Sequence, residues 1–328
     1  MNQSKILYMS KFFQFILAVA VLATSSCMKE DYLLARRGCD VTFIADLGGS
    51  VSRAFADGEN VNEVAWAVYT AGSDTPLKDL WGTMPLNDRQ AVLDIRLVNG
   101  RSYDIVFFAY YTENPSDKIE INGNIDPRYY NVLFDSKKVS IKYDEHLTIS
   151  NDEMRDCFWH VERNLKIGGA VNKTFTLTRP LAQLNLGVTE EDYNLALNAG
   201  FRIADTQITV DSYTEFDLFS GELTEPAPTT IHFARSETPL YGDNFLEIQG
   251  QPSKYRYLAT TYLLVNEKCT SEVRVALWDV SNIELHRLIY SFVPFQRNYR
   301  TNIIGHLLTN PHNFTIIIED KFENDYDM

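Results

Sequence analysis

The chain has 328 residues, 45% of them hydrophobic and 23% charged, a composition that excludes a disordered or fibrous chain. A formal net charge of −14 disfavours nucleic acid and anionic membrane surfaces as partners. With 18 Tyr, 19 Phe and only 4 Cys, the chain suits strands better than a disulfide framework.

The first element is an apolar run from Phe12 to Ala23, preceded by Lys5 and Lys11. It is too short and wrongly flanked to span a membrane, and it reads as the core of a secretory signal. Thr24, Ser25 and Ser26 lead into Cys27, and "MKEDY" follows. This resembles a bacterial lipoprotein signal, in which the cysteine becomes the new N-terminus and carries a diacylglycerol. Residues 1–26 are then the signal peptide and Cys27 the lipidation site. The pattern prefers leucine three residues before the cysteine; Thr24 stands there and Leu22 is the nearest leucine. The acidic residues after Cys27 resemble the surface-export tag of Bacteroidetes lipoproteins. The alternative is an ordinary signal with an incidental cysteine. Cys39, Cys157 and Cys269 remain, and a Cys157–Cys269 pair and buried free thiols are both open.

Beyond the signal the pattern has period two. "DVTFIADL" places Val41, Phe43, Ala45 and Leu47 on one face of a half-buried strand. "EVAWAVYT" (63–70) is a second strand. Leu93, Ile95 and Leu97 alternate with Asp94 and Arg96, Asn99-Gly100 follows, and Tyr103, Ile105, Phe107 and Ala109 run back, which predicts a hairpin. "TFTLTRPLAQLNLGV" (174–188) is strand-like but broken by Pro180, an edge, bulge or domain crossing. Thr189 caps a predicted helix, Asp192 completes a variant capping box, and Gly200 stops it. "TQITV" (206–210), "YRYLATTYLLV" (255–265), "EVRVALWDV" (272–280) and "RLIYSFVPF" (287–295) are further strands. The expected fold is mainly β: two antiparallel β-sandwich domains meeting near residue 178, with one short helix in the second.

The sequence carries no G-x-S-x-G, P-loop, C-x-x-C or H-E-x-x-H pattern. His160 and Glu162 share a strand face and could ligate a metal, but no further ligands stand nearby, so a structural histidine is the better reading. No catalytic residue, metal site or cofactor is assigned, and the chain is read as a non-enzyme.

Several segments together resemble the FimA-type fimbrillins, lipoprotein pilins of the Bacteroidetes. They are "RYYNVLFD" (128–135), "TLTRPLAQLNL" (176–186), "YTEFDLFSGEL" (213–223), "YLATTYLLVNE" (257–267) and, above all, "RNYRTNIIGHLLT" within the C-terminal segment. The resemblance implies transthyretin-like sandwiches and a cell-surface fimbrial subunit that supports adhesion. The subunit reaches the outer membrane as a lipoprotein and is cut by an arginine-specific surface protease. It then loses its first strand and accepts a strand from another subunit. In this scheme Arg53, followed by Ala54, is the cleavage site, in the loop "GGSVSRAFADGEN" (48–60). Residues 27–53 are a lipidated propeptide carrying the strand Val41, Phe43, Ala45 and Leu47, and 54–178 and 179–328 are the two domains. Arg36 and Arg37 are rival sites, but cutting there would leave the strand in place. The far end, 313–328, offers Phe314, Ile316 and Ile318 as a candidate donor strand before an acidic tail; it can equally be the last strand of the second domain. Two rival functions stand beside this one. One is an outer-membrane fimbrial anchor that keeps its lipid. The other is a surface glycan-binding lipoprotein, for which Trp66, Phe107, Phe108 and Tyr110 look too core-like to be sugar platforms.

Overall fold

A computed structural model describes residues 38–48, 58–114, 124–144, 148–243 and 245–319. The described chain is mainly β, with a single α-helix among these residues. No helix among them is long and apolar enough to cross a membrane. Five sheets form. The first is three-stranded: β1 (Gly38–Asp46) lies between β4 (Gln90–Val98), antiparallel to it, and β10 (Val171–Thr176), parallel to it. The second has the order β3 (Trp81–Pro85), β2 (Glu63–Thr70), β5 (Ser102–Tyr110), β9 (Phe158–Lys166). The third runs β13 (Glu215–Asp217), β8 (Lys138–Ile141), β7 (Tyr130–Leu133), β6 (Asn124–Ile125). The fourth is β16 (Phe245–Leu246), β17 (Tyr255–Leu263), β11 (Ala182–Thr189), β20 (Arg300–Gly305), β21 (Phe314–Glu319). The fifth is β14 (Thr229–His232), β12 (Ile203–Ser212), β18 (Cys269–Asp279), β19 (Glu284–Phe295), with β15 (Ser236–Glu237) also on β12.

Three main cores follow from which faces are apolar. The first and second sheets enclose Val41, Phe43, Leu93, Leu97 and Phe175 against Val64, Val68, Ile105 and Phe107. The fourth and fifth enclose Leu184, Leu186, Leu258 and Ile303 against Ile208, Val275, Leu277 and Leu288. A middle core joins Val106, Phe108, Val132 and Val139 to Leu181, Phe216, Leu218 and Tyr262 from later in the chain. β5 is therefore covered on both faces, which explains why its sequence is apolar almost without alternation. The chain passes from the first sheet to the fourth through Pro180, beside the buried Arg179–Asp156 ion pair (2.8 Å). The segment around Phe216 then returns to pair with β8, so the later half contributes to the third sheet.

Two local expectations are corrected. β4 and β5 do not form a hairpin: β4 pairs with β1, and β5 with β2 and β9. Of the Asn99-Gly100 pair only Gly100 has positive φ (+84°), whereas the type I′ hairpin turn that Asn-Gly favours needs both. The turn instead carries the chain from one sheet to the facing one, so Leu97 and Tyr103 reach the same core from opposite sides. The helix α1 (Glu190–Asn198) forms as expected, with Thr189 Oγ1 accepting from Asp192 N (3.1 Å). The Asp192 side chain does not close a capping box. It is fully buried and accepts from Leu308 N (2.7 Å) and Thr309 N (3.0 Å), tying the helix to a distant loop.

Candidate functional site

β1 alternates sharply. Val41, Phe43, Ala45 and Leu47 are each at most 2% exposed, whereas Thr42, Ile44 and Asp46 between them are only partly covered. The ladder runs from Gly38 opposite Val98 to Asp46 opposite Gln90 on one side, and from Val41 opposite Val171 to Asp46 opposite Thr176 on the other. Side chains fix this register on the outer face: Thr42 Oγ1 donates to Asp94 Oδ1 (2.5 Å) and Gln90 Nε2 to Asp46 Oδ2 (3.2 Å). The exit of the strand is held by Leu47 N to Arg89 O (3.0 Å), Leu177 N to Asp46 O (2.8 Å) and Arg89 Nε to Gly48 O (2.7 Å).

Among the described residues, β4 and β10 have no ladder partner in their sheet other than β1. Removing β1 would leave both flanking strands with unpaired main-chain groups and uncover the apolar floor beneath. Unpaired strand edges and bare apolar surface are costly in water, so such a slot calls for another strand. The floor is aromatic. Phe175 on β10 lies 5.4 Å from Phe43 and 5.6 Å from Phe107, ring centre to ring centre.

His160, on β9, stacks on Phe175 at 5.1 Å and so belongs to the wall of this slot. Its Nε2 lies 3.8 Å from Glu162 Oε2, while Glu162 Oε1 accepts from Lys173 Nζ (2.7 Å). Burial holds the imidazole below its ordinary pKa, against the opposing pull of Glu162. No cluster of three or more His, Cys, Asp or Glu suited to a metal ion occurs among the described residues.

The candidate donor is the edge strand β21, antiparallel to β20. Ile316 packs against the second main core and Ile317 against a small cluster around Tyr257 and Ile304. Phe314 and Ile318 are 38% and 39% exposed. Phe314 meets Tyr290 edge-on at 4.8 Å, and Glu319 accepts from Asn302 Nδ2 (2.7 Å) and Gln249 N (3.0 Å). β21 is thus seated as the last strand of the fourth sheet, with little of its surface buried. Cys27, Arg36, Arg37, Arg53 and Ala54 lie outside the described residues. Cys39, Cys157 and Cys269 are free thiols, and Cys157 and Cys269 belong to different cores, which decides against their pairing. What sequence reasoning missed is β10 as the second neighbour of β1. That pairing joins segments far apart in the chain, and no local pattern announces it.

Residues 50–328 match the profile of a family described as a family of unknown function (DUF6562). No curated protein matches the chain. Among solved structures, a "putative cell adhesion protein" from Bacteroides ovatus aligns with a TM-score of 0.46 and 11% identity, over 88% of this chain and 99% of that one. A fimbrial assembly protein from Parabacteroides distasonis gives 0.43 and 12%, over 86% and 95%. A structure from Bacteroides thetaiotaomicron described as "putative polysaccharide binding proteins" gives 0.43 and 13%, over 86% and 96%. At these scores and identities the neighbours say nothing of what this chain does.

Proposed function

The chain belongs to the family of unknown function DUF6562, and we propose that it is a structural subunit of a cell-surface fimbrium that supports adhesion. In this reading it is exported as a lipoprotein on Cys27 and held at the outer membrane by its lipid. An arginine-specific surface protease then cuts at Arg53–Ala54. One cut severs the lipid and frees β1 together, because both lie on the N-terminal side of Arg53. A strand from another subunit fills the slot, its main chain pairing with β4 and β10 and its alternate side chains entering the core. Residues 54–178 and 179–328 act as two transthyretin-like sandwich domains, and the protein performs no catalysis. The observation that carries the reading is the position of β1, among the described residues the sole ladder partner in its sheet of two strands, with Arg53 following it in the sequence before β2.

A second reading, the membrane anchor, is favoured by the fully seated β1: a chain that is never cut keeps both lipid and strand. The test is N-terminal sequencing of the protein sheared from cells, with unboiled gels of Arg53→Ala cells beside Arg36→Ala/Arg37→Ala cells. Strand exchange expects Ala54 as the new N-terminus. It also expects a lipidated monomer from Arg53→Ala and a normal high-mass ladder from the double variant. A ladder from Arg53→Ala would overturn strand exchange.

A further inference from the structure

An open strand edge is a template for pairing with another chain, and proteins blunt it with charge, proline or a bulge. Among the described residues the other edge strands of comparable length are blunted in these ways. β4 carries Asp94 and Arg96, β10 carries Lys173, and β3 ends in Pro85. β9 bulges opposite β5, and β19 bulges opposite β18 and carries Pro294. β21 has none of these devices. Its sequence FTIIIE holds no proline and no charge before Glu319, and its ladder with β20 runs from Phe314 to Glu319 without a register shift. The Glu319 carboxylate is turned inward, 8% exposed, and accepts from Asn302 Nδ2 and Gln249 N, which keeps β21 seated.

The register at this edge is self-complementary. His306 N donates to Asn313 O (3.0 Å), so by antiparallel alternation Thr315, Ile317 and Glu319 exchange main-chain bonds with β20. Phe314, Ile316 and Ile318 then turn their N–H and C=O groups to the open edge. The same three share one side-chain face, on which Phe314 meets Tyr290, Ile316 packs on the core, and Phe314 and Ile318 are each more than a third exposed. A second β21, antiparallel and centred on Ile316, sets Ile316 opposite Ile316 and Phe314 opposite Ile318 twice. Each of these pairs can exchange both main-chain bonds, and aromatic with β-branched is a favourable cross-strand match. On the other face Thr315 meets Ile317, and Glu319 meets Asn313, so no like charges oppose. Charge also selects the direction, because Asp320, Glu323, Asp325 and Asp327 follow the strand. Parallel pairing would set the two Glu319 ends about 5 Å apart, and antiparallel pairing roughly 20 Å, beyond the screening length of about 8 Å in physiological salt. Such a match of a strand with itself is the signature of a two-fold interface.

We propose that the open edge of β21 pairs antiparallel with β21 of a second copy of this chain, joining two fourth sheets across a two-fold axis at Ile316. The inference goes beyond the function proposed above and depends neither on cleavage at Arg53 nor on the departure of β1. A strand pair of this length is smaller than a standard interface, so the expected Kd is on the order of 10–100 µM. The purified full-length protein is followed by sedimentation equilibrium across that range. Its weight-average mass should rise with concentration from one chain towards two. Ile318→Lys, which sets a lysine opposite Phe314 twice, should weaken the dimer about tenfold or more in a protein that still folds. Residue-resolved amide exchange tests the register without a variant. Phe314, Ile316 and Ile318 should gain protection as concentration rises, whereas Thr315, Ile317 and Glu319 should be protected at every concentration. Added salt should tighten the dimer, because it screens the repulsion between two chains of net charge −14. A monomer throughout, a folded Ile318→Lys protein of full affinity, or dissociation by salt would each overturn the proposal. So would a dimer without concentration-dependent protection at Phe314, Ile316 and Ile318. Should Ile318→Lys fail to fold, the exchange pattern of the unmodified protein decides alone.

Discussion

In the strand-exchange reading, Phe43→Ala perturbs the strand expected to leave and spares the body expected to stay. Phe43 is fully buried and its ring lies 5.4 Å from that of Phe175. Truncation removes the largest inward side chain of β1 and should destabilise the uncut protein by about 3–5 kcal/mol. Leu186→Ala, at an equally buried position in the core between the fourth and fifth sheets, should cost a comparable ~2–5 kcal/mol without touching β1. Urea unfolding of both uncut variants checks that the two perturbations match. The variants should part after cleavage with an arginine-specific protease. If β1 leaves before or as the donor enters, even a third of the Phe43 loss expressed in the barrier speeds exchange about tenfold. The assay is the growth of high-mass species on unboiled gels against time after cutting. Faster growth for Phe43→Ala alone is expected. Equal growth for both variants, or none beyond the unmodified protein, would refute the claim that departure of β1 gates assembly.

Gly305→Ala should loosen β21 selectively: Gly305 sits at φ +148°, and an added Cβ would lie 2.3 Å from Asn313 O. A penalty of about 1–3 kcal/mol is expected, read as faster amide exchange over residues 314–319 with the first core unchanged. Burial lowers the folded pKa of His160 below the unfolded value of about 6.5. Its contribution is therefore complete above that value and is lost as pH falls through it towards the folded pKa. His160→Gln should flatten that part of the urea-midpoint profile, and an unchanged slope would remove His160 as the cause. Phe292 is 81% exposed at φ +58°, on a bulge of β19 where a bulky L-residue is strained. Phe292→Asn should raise stability by about 1 kcal/mol in thermal melts.

How far the sequence was legible follows from the range of each interaction. The face of β1 could be read because alternation is written within seven residues, Val41 to Leu47, with Thr42, Ile44 and Asp46 between. Thr189 could be read as a cap for the same reason. Asn99-Gly100 misled because a turn signal marks a reversal without saying which sheet receives the returning strand; burial of β5 between two cores sent it to β2 and β9. Asp192 misled because a side chain three residues into a helix can close a local box or reach a distant loop, and here the amides of Leu308 and Thr309 took it. Arg155 drew no notice, since a lone arginine in "NDEMRDC" gives no hint that it lies over the rings of Tyr129 and Tyr143 and donates to Thr148.

The slot also bears on who fills it. β1 seats four inward side chains of unequal size, with the small Ala45 between Phe43 and Leu47, and Ala45 is fully buried. The candidate donor of this chain offers Phe314, Ile316 and Ile318, three large side chains at the same period. Three such groups can occupy the places of Val41, Phe43 and Ala45 or those of Phe43, Ala45 and Leu47. Either seating, in either direction, sets a phenylalanine or isoleucine where an alanine fits. Overpacking a filled core costs about 1–3 kcal/mol. A donor carrying a small residue at that one place escapes the penalty. Within the strand-exchange reading, the shape of the slot therefore favours a strand from a different subunit over a second copy of this one.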